Sequence, residues 1–199
     1  MMAKKHLDLG CGLKPRNPYG AELTFGCDIR DIDAGVRDIG FEYKKVNLVI
    51  EPIPYPDNYF DSVSAYDFFE HVPRQVLLSN GESSNPFINL MNEIHRVLVP
   101  GGHLLALTPA YPHPAAFSDP THVNFITSGT HEYFIGSKPT GSMYGFKGAF
   151  DVLQVRWEAS QNAYDLNQPN WRKSLRRVHR RVTNGGLSHM LWELVANKC

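Results

Sequence analysis

Residues 7–12, Leu-Asp-Leu-Gly-Cys-Gly, constrain the fold of this chain more than any other stretch. Residues 5–9, KHLDL, read as a short apolar strand that runs with no spacer into Gly10-Cys11-Gly12. A strand ending on glycines suits the carboxyl edge of a parallel sheet, where ligands bind. Residues without a Cβ let the backbone approach a ligand closely. Asp8, just before the turn, can hold a cationic group such as an ammonium. A second strand, LTFGCDI at 23–29, ends near Asp28, where one carboxylate can accept two ribose hydroxyls. A plain tight turn would need the glycines but not this acidic partner.

The pattern continues through the first half. Residues 45–50, KVNLVI, read as a third strand, and SVSAY at 62–66 as a buried fourth. Between them Pro52, Pro54 and Pro56 exclude a helix. Residues 86–98 place Phe87, Leu90, Met91, Ile94, Val97 and Leu98 on one helical face. Pro86 suits the first turn of that helix, and Pro100-Gly101-Gly102 ends it. HLLALTP at 103–109 is a further strand. Strands alternating with connectors and a helix predict an α/β fold: a mostly parallel sheet, an antiparallel edge strand and helices on both faces. Residues 150–159 and 188–196 alternate like strands that pair antiparallel at the sheet edge. The excursion between them holds a basic helix candidate, WRKSLRRVHRR.

The chain's 199 residues match one domain with one core. Acidic and basic residues balance at 20 each, so no global field attracts nucleic acid or anionic lipid. Cys11, Cys27 and Cys199 have no metal-ligand spacing, and an odd number suits a reducing compartment. With no signal-like or bilayer-length apolar run, the expectation is a cytoplasmic protein without a membrane partner.

Four segments together resemble the class I S-adenosylmethionine-dependent methyltransferases of the small-molecule branch, from about His6 to Pro109. LDLGCG resembles their glycine motif and FGCDIR the ribose-binding strand end. PIPYPDNYFDSVSAYDFFEHV resembles the segment that closes on Glu-His, and EIHRVLVPGGHLLALTP the helix and strand that follow. The resemblance implies a Rossmann-like methyltransferase fold and S-adenosylmethionine as cofactor. It implies that Asp8 and the backbone of Gly10, Cys11 and Gly12 face the methionine part. It further implies Asp28 on the ribose, Ile29 against adenine, and Asn47 and Leu48 near the adenine amine, where the family often has an acidic residue. Tyr66 and Asp67 would lie near the sulfonium. Pro15 and Pro18 leave little room for the family's first helix, so a loop is expected there. A dinucleotide dehydrogenase fits worse, because it needs a third glycine opening a helix toward a pyrophosphate.

Methyl transfer needs alignment and exclusion of water, and an oxygen acceptor gains from a general base. Residues 109–148, rich in Pro, Gly, His and aromatics, are expected to cap an acceptor pocket. His122, oriented by Asp119, is the expected base, with His113 close by. Asp119 as a turn former around Pro120 is the competing assignment. Glu70 and His71 can face the same cleft. No metal is expected, although His113, Asp119 and His122 form an alternative ligand set. The expected reaction is O- or N-methylation, and the expected partner is a small-molecule, glycan or lipid-precursor acceptor. An RNA-modifying enzyme docking through 172–181 and a non-catalytic assembly protein are the rival readings.

Overall fold

A computed structural model describes residues 3–31, 40–165, 167, 169–183 and 186–198. The strands are β1 (Lys5–Leu9), β2 (Leu23–Asp28), β3 (Glu42–Lys45) and β4 (Phe60–Tyr66). A short hairpin, β5 (Val76–Leu77) with β6 (Ser83–Ser84), precedes helix α1 (Pro86–Val97) and β7 (Leu98–Pro109). A short helix α2 (Ala115–Ser118) is followed by β8 (Phe150–Glu158), α3 (Ser160–Tyr164), α4 (Asn170–Thr183) and β9 (His189–Ala196).

Seven strands form one sheet in the order β3-β2-β1-β4-β7-β9-β8. β1 pairs parallel with both β2 and β4, and β4 with β7. β9 runs antiparallel to β7 and to the outermost strand β8, so both predicted terminal strands pair as expected. The chain leaves β1 in one direction to β2 and β3, then returns to the other side of β1 as β4. That reversal opens a crevice beyond the carboxyl ends of β1 and β4.

Burial explains the strand sequences. Leu7, Leu9, Phe60 and Val63 are fully buried in the middle of the sheet. The apolar face of α1, with Phe87, Leu90, Met91, Ile94 and Val97, packs into the same core. Each such side chain contributes about 1.5–3 kcal/mol on burial.

Two expectations are corrected. The third strand spans Glu42–Lys45, not 45–50. Asn47 ends it: its Oδ1 accepts the Val49 amide, and its carbonyl accepts the amides of Ile50 and Glu51, folding 47–51 into a turn. Strand β7 begins at Leu98, before Pro100-Gly101-Gly102, because its register against β4 shifts between Phe60 and Ser62 and absorbs the irregular residues. Residues 109–148 pack onto the domain, with Ile126, Phe134 and Phe146 buried in the main core. No helix among the described residues is long and apolar enough to cross a membrane.

Candidate active site

The glycine loop is built by its neighbours in the crevice. The amides of Gly10 and Cys11 both donate to the Cys27 carbonyl, at 2.8 and 3.2 Å. Gly10 and Gly12 have φ of 63°, a conformation that favours glycine. A Cβ on Gly10 would lie 2.7 Å from the Phe68 ring, so the ring and the bare backbone close on each other. Gly26 in β2 provides a notch of the same kind, where a Cβ would meet Cys11 Sγ at 2.6 Å and Pro15 at 2.8 Å. Cys11 is buried there, and burial raises its thiol pKa. The expected loop replaces a helix after Gly12: Asn17 holds the amide and carbonyl of Ala21 through its side chain.

Asp28 accepts the amides of Gly12 and Arg30 at 2.8 and 3.0 Å and the Arg30 guanidinium at 3.1 Å. Burial alone would raise its pKa, but these donors hold it below the usual carboxylate range. Asp8 is fully buried; burial pushes its carboxyl up to about 6, against donors from the Arg16 amide at 2.8 Å and Ser64 Oγ at 2.6 Å. Arg16 spreads over the rings of Tyr66 and Tyr164, 4.8 and 5.1 Å from their centres. The Tyr66 hydroxyl is buried with no hydrogen-bond partner among the described residues. Asp67 takes a left-handed backbone, φ 48°, which turns its carboxylate toward Tyr164 OH and toward His189 Nε2 at 3.2 Å. Beyond β2, Ile29 is 59% exposed, an open apolar surface at the strand end. Leu48 is buried in the core, so its side chain is closed to a ligand and only its backbone remains.

A second group lies beyond β4, where Phe69–His71 form a short 3₁₀ turn. Glu70 is 1% exposed, and burial pushes its carboxyl up to about 8. Its Oε2 accepts Thr108 Oγ1 at 2.7 Å, and its Oε1 faces His122 Nε2 at 3.9 Å. The His71 and His122 rings meet edge to face, 4.9 Å apart. Glu70, His71 and His122 each offer one metal-ligating atom, all within 4.8 Å of one another. His122 Nδ1 lies 3.3 Å from the Ala116 carbonyl.

Two expectations about this group change. The Asp119 carboxylate does not hold the His122 ring: it accepts the amide and hydroxyl of Thr121 at 2.8 and 2.6 Å, and the Asp119 carbonyl accepts the His122 amide at 3.1 Å, the turn-forming role that competed with it. His113 does not join the group; its Nδ1 accepts the Ala115 amide, and it lines a separate recess with Trp157, Arg181 and Leu187. Ser64, Thr108, Thr121, Tyr164 and His189 were not legible as site residues. Only Ser64 and Thr108 left a trace, as polar residues inside otherwise buried strands.

The basic helix forms where expected, over Asn170–Thr183. Trp171, Leu175, Val178 and Val182 of α4 are 60–80% exposed, while Arg177 turns inward to pair with the buried Glu158 at 2.5 Å. That arrangement leaves apolar side chains exposed beside the basic Arg172 and Arg181.

Residues 7–106 match the family model described as a methyltransferase domain. Among solved structures, a Mesorhizobium loti S-adenosylmethionine-dependent methyltransferase aligns over 97% of this chain and 91% of its own, at 16% identity and TM-score 0.57. The cyclase SpnF aligns over 99% and 76%, at 15% identity and TM-score 0.58. Haemonchus contortus phosphoethanolamine N-methyltransferase 1, solved with phosphoethanolamine and S-adenosylhomocysteine, aligns over 100% of this chain and 40% of its own, at 13% identity and TM-score 0.54. At these identities the likeness concerns the fold. No curated protein matches the chain significantly.

Proposed function

The chain belongs to the methyltransferase-domain family and is an S-adenosylmethionine-dependent methyltransferase, and on that premise we propose that it methylates a hydroxyl of a small-molecule, glycan or lipid-precursor acceptor. The observation that carries this reading is the placement of His122 Nε2 opposite the buried Glu70 carboxyl at 3.9 Å. The two stand immediately beyond β4, next to the crevice where the cofactor belongs. A hydroxyl is a poor nucleophile until it sheds its proton, and this cluster is where the proton can go.

The residues around the crevice suit the cofactor. The bare backbone of Gly10, Cys11 and Gly12 admits the methionine part, and Tyr66 and Asp67 bring an unpaired hydroxyl and a carboxylate to the same edge. Asp28 is offered to the ribose, Ile29 to the adenine face, and Asn47 and the Leu48 backbone to its rim. Asp8 acts one step back, holding the Arg16 amide and hence the loop. When bound, the cofactor supplies a methyl group already activated by a sulfonium.

The acceptor's room is a cavity of about 960 Å³ whose wall is shared by Arg74, Phe87, Phe125, Tyr133, Phe134 and Tyr144. Arg74 joins it to the Glu70 turn: its Nε donates to Asn124 Oδ1 at 2.7 Å, and the Asn124 amide donates to the Glu70 carbonyl at 3.0 Å. An aromatic wall with a few polar groups is typical of small-molecule sites. SpnF is a cyclase on this fold, so fold alone does not fix the reaction. The test is incubation with methyl-labelled cofactor and fractionated extract. Label entering a low-mass, base-stable ether supports the reading. Label entering only amines or RNA overturns it.

A further inference from the structure

Beyond β4, the imidazole protons of His71 and His122 are already committed. Thr121 Oγ1 has one hydrogen, and Asp119 Oδ1, an acceptor, takes it at 2.6 Å. The 3.0 Å contact between Thr121 Oγ1 and His71 Nδ1 must then be donated by the imidazole, which leaves a lone pair on His71 Nε2. The Ala116 carbonyl, 3.3 Å from His122 Nδ1, selects the same tautomer and leaves His122 Nε2 with a lone pair. Glu70 spends Oε2 on the Thr108 hydroxyl, while Oε1 is buried with no hydrogen-bond partner among the described residues.

Ligand atoms of these three residues lie within 4.8 Å of one another. In the ionised form of Glu70 the three are acceptors with no donor among them and repel, and the buried carboxylate oxygen has lost its hydration without replacement. A positive charge in their midst removes both costs. The outer contacts fit as well, because metal-binding imidazoles characteristically donate their second N–H to a carbonyl or, directly or through a relay, to a carboxylate. Here the Ala116 carbonyl serves His122, and Thr121 passes Asp119 to His71.

We propose that Glu70, His71 and His122 form a divalent-cation site that activates the acceptor. The proposal rests on the reading that an acceptor hydroxyl reaches this cluster. Two imidazoles and one carboxylate suit a borderline transition metal of the Mn²⁺ to Zn²⁺ series, and three protein ligands leave positions open for an incoming oxygen. Bound there, the acceptor's hydroxyl oxygen loses its proton to water more readily. The oxygen then forms its bond to the methyl carbon as the carbon–sulfur bond breaks, and that electron pair stays on sulfur. The products are a methyl ether and S-adenosylhomocysteine. Asp119 is a positioning residue in this scheme, acting through Thr121 on the His71 ring.

The experiment titrates Co²⁺ into the full chain saturated with S-adenosylhomocysteine, reading visible absorption and heat. The proposal expects one equivalent bound, with visible bands of nitrogen and oxygen ligation. Glu70→Gln or His122→Asn lowers Co²⁺ affinity by roughly a hundredfold, and Asp119→Asn by roughly tenfold, since its effect is indirect. S-adenosylhomocysteine affinity, measured on the same samples, stays unchanged. If wild-type protein binds no Co²⁺ saturably, or the variants bind it as well as wild type does, the site is overturned. Methyl transfer that persists in EDTA yet still collapses in His122→Asn also overturns it, while leaving hydroxyl methylation with His122 as the base intact. Where a variant does not fold, wild-type stoichiometry and spectrum decide.

Discussion

Asp28 accepts the Gly12 amide at 2.8 Å, so the residue offered to the ribose also fixes the far end of the glycine loop. The loop and the strand end that follows it are therefore one mechanical unit, and a change at either is felt at both.

Asp28→Ala removes three charge-assisted hydrogen bonds from that unit, as well as the proposed ribose contact. Calorimetry with S-adenosylhomocysteine is expected to show affinity reduced by about 1.5–3 kcal/mol, or roughly tenfold to a hundredfold. Unchanged affinity would place the cofactor elsewhere.

Gly10→Ala combines a positive φ with a Cβ 2.7 Å from the Phe68 ring. The backbone penalty alone is about 1–3 kcal/mol. Adding Phe68→Ala relieves the contact but not the φ, so the double variant should recover part of the lost S-adenosylhomocysteine affinity and no more. Full recovery would mean that only the steric clash matters.

His122→Asn should lower turnover by roughly a hundredfold or more once an acceptor is identified, with cofactor affinity unchanged. Asp119→Asn should cost clearly less, because the Asp119 carboxylate bonds Thr121 rather than the His122 ring. Equal losses in steady-state kinetics would restore a direct Asp119–His122 partnership.

His6 sets a pH dependence on stability. Burial lowers its pKa from 6.5 to about 4, and its ring bridges Ser62 and Ser64 at 2.7 and 2.9 Å. The unfolded chain therefore binds a proton that the folded chain refuses. The stabilisation is fully present above about pH 6.5 and is lost as pH falls toward 4. Asp8, raised from 3.8 to about 6 by burial, works in the opposite sense and costs stability as pH rises across that window. Thermal melts at pH 6.5 and 4.5 should show a larger loss of midpoint for the wild type than for His6→Gln. A steeper fall in the variant would contradict this assignment.

The parallel sheet was legible because its signals are local. KHLDL running into Gly10, the spacing of Phe87, Leu90, Met91 and Ile94, and Asp28 at a strand end each follow from residues close in sequence. The glycine loop was legible for the same reason, since Gly10 and Gly12 take left-handed backbones that glycine favours. The third strand was displaced because Asn47 captures its own downstream amides, a turn that competes with strand extension and wins at a sheet edge.

The proton-handling cluster depended on tertiary structure. Sequence placed Asp119 three residues from His122 and suggested a pair, but the chain turned Asp119 onto Thr121 instead. It brought His122 to Glu70, whose own carbonyl accepts the Val123 and Asn124 amides and so docks the 121–124 segment on the turn after β4. The sequence by itself determined the sheet, the glycine loop and the acidic strand end, because backbone conformation and periodicity are set by near neighbours. Tertiary structure alone decided which carboxylate faces which imidazole, because side chains 52 positions apart meet only after the strands between them have paired.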